Sequence, residues 1–123
     1  MKTVFLVGIL AISANTWAAE YPNDMLGNWI DLKNNQQNAC QNPQLVVEKK
    51  LRYNEFDVEC VPTSIKAQKV SDTITKYIAN EQCQREDSKW QQTTIFSPGG
   101  LMLVTEKRDG IPEDNVLRLK KCQ

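Results

Sequence analysis

The 123-residue chain contains no histidine, the side chain that most often serves as general acid or base. Without an imidazole, it has no Ser-His-Asp triad, no histidine metal site and no histidine proton shuttle. Among the carboxylates, two pairs are adjacent in sequence, Glu86-Asp87 and Glu113-Asp114. Paired carboxylates can act as general acid and base. Both pairs lie in polar stretches typical of solvated turns. We therefore expect a protein that is not an enzyme, without catalytic residues, cofactor or metal ion.

The four cysteines, at positions 40, 60, 83 and 122, are the other residues with distinctive chemistry. Their spacings contain no Cys-x-x-Cys pair, which argues against a redox motif and against a zinc site. An even number of cysteines in a short chain indicates structural disulfides, and four cysteines can pair in three ways.

The first 18 residues have the pattern of a secretory signal peptide. Lys2 precedes an apolar run from Val4 to Ile12, and small residues at Thr16 and Ala18 suit cleavage after Ala18. The run is too short to cross a bilayer, which takes about 20 residues, and no later segment is apolar enough to do so. The sequence predicts a signal peptide at 1–18 and a single domain at 19–123, periplasmic or secreted, without membrane insertion. Such compartments favour disulfides.

Charge gives no indication of a polyanionic partner. The chain has 15 Lys+Arg and 15 Asp+Glu, and the two signs alternate along it. This balance predicts a solvated surface rather than a basic patch, and it gives no reason to expect nucleic acid or an anionic membrane as partner.

Short strands separated by polar turns are the main local pattern from residue 26 onward. Residues 45–53 alternate with a period of two, and Phe56, Val58 and Cys60 continue the alternation after a turn at Asn54-Glu55. Trp90, Gln92, Thr94 and Phe96 share one face of a later strand, and Ser97 to Gly100 is the strongest turn signal. The fold class predicted is all-β: a small antiparallel up-and-down barrel, or a tight sandwich, of about seven to eight strands.

The strand assignment selects one disulfide pairing. Cys60 and Cys83 lie 11 or 12 residues on either side of the turn at 69–72, so a hairpin places them nearly opposite each other. Cys40 follows the first strand and Cys122 ends the last one, and these strands are neighbours in a closed barrel. We predict Cys60–Cys83 and Cys40–Cys122.

The segment Leu26-Gly27-Asn28-Trp29 carries a Gly-x-Trp signature at the start of the first strand. It resembles the opening of lipocalin-like (calycin) barrels, in which the tryptophan packs across one end of the barrel and the glycine permits close approach. Among short secreted bacterial proteins it is most similar to periplasmic inhibitors of the alkaline-proteinase-inhibitor type. That resemblance implies a compact barrel that places an N-terminal trunk in a protease cleft.

Two sets of residues are candidates for binding. The loop from Arg108 to Asn115 combines an apolar residue with a stiffening proline, which reduces the entropy lost on binding. Its candidate partner-binding residues are Arg108, Asp109, Ile111, Pro112 and Glu113. A possible pocket is formed by Trp29, Trp90, Tyr53 and Phe96. The other interpretations, a loop that covers the barrel end and aromatic residues that fill the core, stay open.

The function expected is that of a non-enzymatic binding protein, an inhibitor or immunity protein that acts sterically on a hydrolase or envelope toxin. Either the Arg108–Asn115 loop or the Ala19–Met25 segment would enter the cleft of that protein. The alternatives are a carrier of small apolar ligands and an envelope protein with a structural or stress role.

Overall fold

The structure is a computed structural model that describes residues 19–99 and 101–122. The predicted signal peptide at 1–18 lies outside the described residues. The described chain forms eight strands, all paired antiparallel. They are β1 (Gly27–Asp31), β2 (Leu45–Val47), β3 (Arg52–Asn54), β4 (Glu59–Lys69), β5 (Thr75–Arg85), β6 (Ser88–Gly99), β7 (Leu101–Arg108) and β8 (Asn115–Lys121).

The strands follow one another in sequence order around a closed barrel. Closure is made between β1 and β8, where Trp29 is opposite Lys121. The predicted all-β fold is thus confirmed, and of the two architectures left open the barrel is the one observed. The β3–β4 contact is short, with Arg52 opposite Cys60 and Tyr53 opposite Glu59, and the rest of β4 extends beyond β3.

The strand prediction was wrong over residues 45–56. The single strand expected at 45–53 is a hairpin, because the chain reverses at residues 48–51 and the Leu51 carbonyl accepts from the Glu48 amide. The reversal changes the register, so Arg52 points inward and Tyr53 outward. Phe56, expected on a strand, is at the exposed turn between β3 and β4.

Both predicted disulfides are confirmed. Cys60 and Cys83 are opposite each other on β4 and β5, with buried side chains. Cys40 lies in a short 3-10 helix, Ala39–Gln41, within the β1–β2 connection; this helix packs against β1 and is tied to Cys122 after β8. Two disulfides in so small a chain indicate an oxidising environment.

The N-terminal segment closes one end of the barrel, which we call the plugged end. Tyr21 and Met25 are buried, and the Tyr21 amide donates to the Lys49 carbonyl over 2.7 Å. The Trp29 indole Nε1 donates to the Met25 carbonyl over 3.0 Å, so the tryptophan packs across this end as the resemblance implies. Gly27 has a φ of +125°, and a Cβ there would lie 3.0 Å from the Lys121 side chain, which explains the glycine of the Gly-x-Trp signature.

The opposite end, which we call the loop end, carries three turns. They are residues 55–58 between β3 and β4, residues 86–87 between β5 and β6, and residues 109–114 between β7 and β8. The long β1–β2 connection also leaves from this end before folding back along β1.

Candidate functional site

A buried ion pair crosses the interior of the barrel between β3 and β5. The Arg52 guanidinium donates to both Glu81 carboxylate oxygens, from Nε over 2.7 Å and from Nη2 over 2.8 Å. Its Nη2 also donates to Glu106 on β7 over 2.8 Å. The Arg52 side chain is 2% exposed and that of Glu81 is fully buried. Together, Arg52, Glu81 and Glu106 link β3, β5 and β7 across the interior of the barrel.

Neutral side chains complete the coordination of Glu81. Tyr21 and Thr94 donate their hydroxyl groups to its two oxygens, and Gln92 donates to Oε1 over 3.2 Å. Burial alone would raise the pKa of Glu81, but the Arg52 charge and these donors outweigh it and hold the pKa below its usual range. Burial and the neighbouring Glu81 charge together raise the pKa of the Tyr21 hydroxyl.

The buried polar atoms of this cluster are hydrogen-bonded to one another. Among the described residues, every buried side-chain nitrogen or oxygen has a hydrogen-bond partner, which is the usual state of a polar core. The Cys60 and Cys83 sulfurs lie close to Glu81 but are bonded to each other, so they offer no thiolate to a metal.

The mouth of the barrel at the loop end is covered by Trp90 and Arg108. The guanidinium carbon of Arg108 lies 3.9 Å from the centre of the Trp90 ring, a cation–π contact. The Trp90 indole donates to Gln92 below it over 2.8 Å. Arg108, which sequence analysis assigned to the partner-binding loop, is thereby anchored at the base of that loop.

The predicted binding loop between β7 and β8 is exposed and tightly folded. The Asp109 amide donates to the Gln91 carbonyl over 3.1 Å, and the Ile111 amide donates to the Arg108 carbonyl over 3.1 Å. Ile111 is 50% exposed at the tip of this turn, followed by the exposed Pro112 and Glu113. The loop thus presents an apolar tip on a folded backbone.

A second apolar tip lies across the mouth, and sequence analysis missed it. Phe56 in the β3–β4 turn is 60% exposed. The Asn54 side-chain oxygen accepts from the amides of Phe56 and Val58, which fixes the turn, and Asp57 takes a positive φ of 62°. The Asn54-Glu55-Phe56-Asp57 stretch was the available signal, since Asn and Asp favour such turns. Four strands separate this turn from the β7–β8 loop in the ring of eight, so the tips are on opposite sides.

The three turns at the loop end are acidic. They contain no lysine or arginine, although Lys+Arg and Asp+Glu are equally numerous in the whole chain, 15 of each. The acidic residues there are Glu55, Asp57, Glu86, Asp87, Asp109, Glu113 and Asp114. Asp114 forms an ion pair with Lys107 over 3.3 Å at the end of β7. The strand ends beside these turns carry the exposed Arg85, Lys89 and Arg108. The loop end therefore has acidic turns with two apolar tips, next to basic strand ends.

The four predicted pocket residues lie in three different parts of the barrel. Trp29 and Phe96 are buried in the core, Trp90 is in the mouth, and Tyr53 is on the outside of β3. The Ala19–Met25 segment, the other candidate for a cleft, has Tyr21 and Met25 buried inside the barrel. Within residues 19–99 and 101–122, no helix is long and apolar enough to cross a membrane.

Comparison of the chain with protein-family models, with curated proteins and with solved structures finds no match. The likeness to lipocalin-like barrels therefore rests on the eight-stranded antiparallel closed barrel itself.

Proposed function

We propose that the protein is an exported, non-enzymatic binding protein that inhibits a hydrolase or neutralises an envelope toxin by covering its cleft with the loop end. One observation carries this proposal: two hydrogen-bonded turns present the exposed side chains of Phe56 and Ile111 beside carboxylates of the same turns. Apolar anchors surrounded by charge are the arrangement of residues that provides affinity and orientation in protein interfaces.

The chemistry of the loop-end turns supports a partner with complementary charge and shape. The three turns carry seven carboxylates, of which Asp114 is paired with Lys107. Positive groups on the partner that meet these turns would complement them. Two apolar tips on opposite sides of the mouth favour a partner surface with two apolar depressions. The fixed turns lose little entropy on binding.

The resemblance to inhibitors of the alkaline-proteinase-inhibitor type supports an inhibitory role, with a different inserted element. In those proteins an N-terminal trunk is expected in the cleft. Here the equivalent segment contributes Tyr21 and Met25 to the interior, so we place the inhibitory surface at the loop end. Export through the segment 1–18 belongs to the same proposal.

The experiment begins with capture of partners on immobilised, oxidised residues 19–123, from periplasmic extract and culture supernatant. The retained protein is then purified and its dissociation constant is measured for two single variants. Ile111→Asp removes an apolar tip, and we expect a rise of about tenfold or more in the dissociation constant.

Ile74→Asp is the matched control, because Ile74 is 48% exposed on a turn at the plugged end. It should leave the dissociation constant unchanged. Equal effects of the two substitutions, or retention of a partner whose activity is not inhibited, would refute the assignment of the loop end.

A further inference from the structure

The charged residues on the outer wall formed by β5 to β8 are all basic, contrary to the expectation from the alternating charges of the sequence. Side chains alternate between the interior and the outside along each strand. The outward charged residues of these four strands are Lys76, Lys89, Lys107, Arg118 and Lys120. Lys66 on β4, which is paired with Ile78 on β5, adds one more basic residue beside these strands. We call this surface the basic wall.

The fold itself separates the charges. The described strands β5 to β8 contain two carboxylates, Glu81 and Glu106, and both are directed inward to pair with Arg52. The interior ion pairs therefore remove the negative charges that would otherwise offset the lysines outside. Lys107 has a partner in Asp114, and Lys120 donates to Asn35 over 3.3 Å.

The centre of the basic wall is aliphatic. Ile78 and Ile95 are opposite each other on β5 and β6, and Thr105 is opposite Val116 on β7 and β8. Leu103 and Leu101 extend the apolar area along β7. Leu103, Val116 and Leu101 are 40%, 44% and 50% exposed. Exposed aliphatic groups in one contiguous area, flanked by charges of one sign, mark an interaction surface.

The composition of the wall discriminates between classes of partner. Protein interfaces are enriched in aromatic residues and arginine and depleted in lysine, whereas this wall is aliphatic with mostly lysine at its edges. A second copy docked by two-fold symmetry would bring lysines against lysines. Binding of single-stranded nucleic acid relies on aromatic stacking, and none of the outward residues of β5 to β8 is aromatic.

We propose that the basic wall docks peripherally on an anionic phospholipid surface. The lysine and arginine side chains would contact the phosphate groups, and Leu101, Leu103 and Val116 would enter the boundary between headgroups and acyl chains. The barrel axis would then lie along the membrane surface and leave the loop end accessible from the side. The proposal is independent of the proposed function, because it uses a different surface.

The test is co-sedimentation of oxidised residues 19–123 with vesicles; removing the apolar segment 1–18 prevents it from binding lipid by itself. Vesicles of phosphatidylcholine are compared with vesicles in which about a quarter of the lipid is phosphatidylglycerol. We expect partitioning to be about tenfold or more higher on the anionic vesicles, and to fall steeply when salt is raised to about 0.5 M.

Matched charge reversals locate the contact. The double variant Lys66→Glu/Arg118→Glu changes exposed groups on either side of the apolar centre and should abolish the preference for anionic vesicles. Lys49→Glu/Lys50→Glu changes the net charge equally at the exposed β2–β3 turn and should retain most of it. Leu103→Gln should weaken binding without changing its salt dependence.

Equal partitioning on the two vesicle types, or equal loss in both double variants, would overturn the proposal. The proposal would also be overturned if the wild-type protein does not bind vesicles and a variant of the basic wall binds the partner hydrolase more weakly. The wall would then be a protein interface. Ile111→Asp should not change vesicle binding. Failure of the proposed inhibitory role of the loop end can therefore be told apart from failure of the proposed membrane docking of the basic wall.

Discussion

The interior of the barrel is apolar toward the plugged end and charged toward the loop end, although the same strands line both halves. On β6, Phe96 belongs to the apolar core, whereas Gln92 and Thr94 coordinate the buried ion pair. The apolar half is stabilised mainly by burial, which is non-directional. The charged half depends on partners at fixed distances, because an unpaired buried charge is costly.

This difference predicts that the two halves respond differently to loss of one side chain. A vacancy in the apolar half removes contacts and leaves a cavity. Loss of one member of the charged half additionally leaves its former partner buried without compensation. Mutations in the two halves should therefore differ in size and in pH dependence.

The largest loss of stability is expected from Arg52→Leu. The substitution leaves Glu81 buried without its cation, and breaking a buried pair in this way costs about 3–5 kcal/mol. Urea unfolding at neutral pH measures it. The loss should shrink in acid, because the unpaired carboxylate can be protonated. Arg85→Leu, at an exposed position at the end of β5, is the control and should cost far less. A similar small cost for Arg52→Leu would mean that the charged half does not depend on the pair.

A somewhat smaller loss is expected from Met102→Ala in the apolar half. Truncation of a fully buried methionine costs about 2–5 kcal/mol through lost burial and a residual cavity. Met102 is 1% exposed on β7. The loss should be the same in acid and at neutral pH, in contrast to Arg52→Leu. The neighbouring Leu101→Ala, on the exposed side of the same strand, should have little effect. If the stability lost in Met102→Ala depends on pH, the two halves do not differ in the way we predict.

The same comparison explains how far the sequence could predict this molecule. Periodicity and turn residues are local, so they sufficed for an all-β fold and for the shared face of Trp90 and Phe96. The Cys60–Cys83 pairing followed because a hairpin register is set by its turn. Arg52 and Glu81, by contrast, are 29 residues apart, and a reversal at residues 48–51 that periodicity did not reveal decides that Arg52 points inward.

The surfaces illustrate the same limit. The Arg108–Asn115 loop stood out because an apolar residue beside a proline in a polar stretch is a local signal, whereas Phe56 was assigned to a strand and thereby missed. The basic wall was invisible in the sequence because the signs alternate along the chain. Their separation requires knowing that Glu81 and Glu106 are both directed inward, which is a property of the closed barrel.

The smallest effect we predict is the response of the wild-type protein to pH, which tests the charged half without mutation. The pKa of Glu81 is lowered from its reference value of 4.5, so its contribution is complete above about pH 4.5 and is lost as pH falls through the folded-state pKa. The pKa of Tyr21 is raised above its reference value of 10.0, so its contribution is present below about pH 10 and is lost at more alkaline pH. Stability from urea unfolding should therefore be highest between these limits.

The stability that the wild-type protein loses when Glu81 is protonated should be smaller than the stability that Arg52→Leu loses at neutral pH, because Arg52 retains Glu106 as a partner. Tyr21→Phe should remove the alkaline loss and leave the acid loss in place; persistence of the alkaline loss in that variant would assign it to another group.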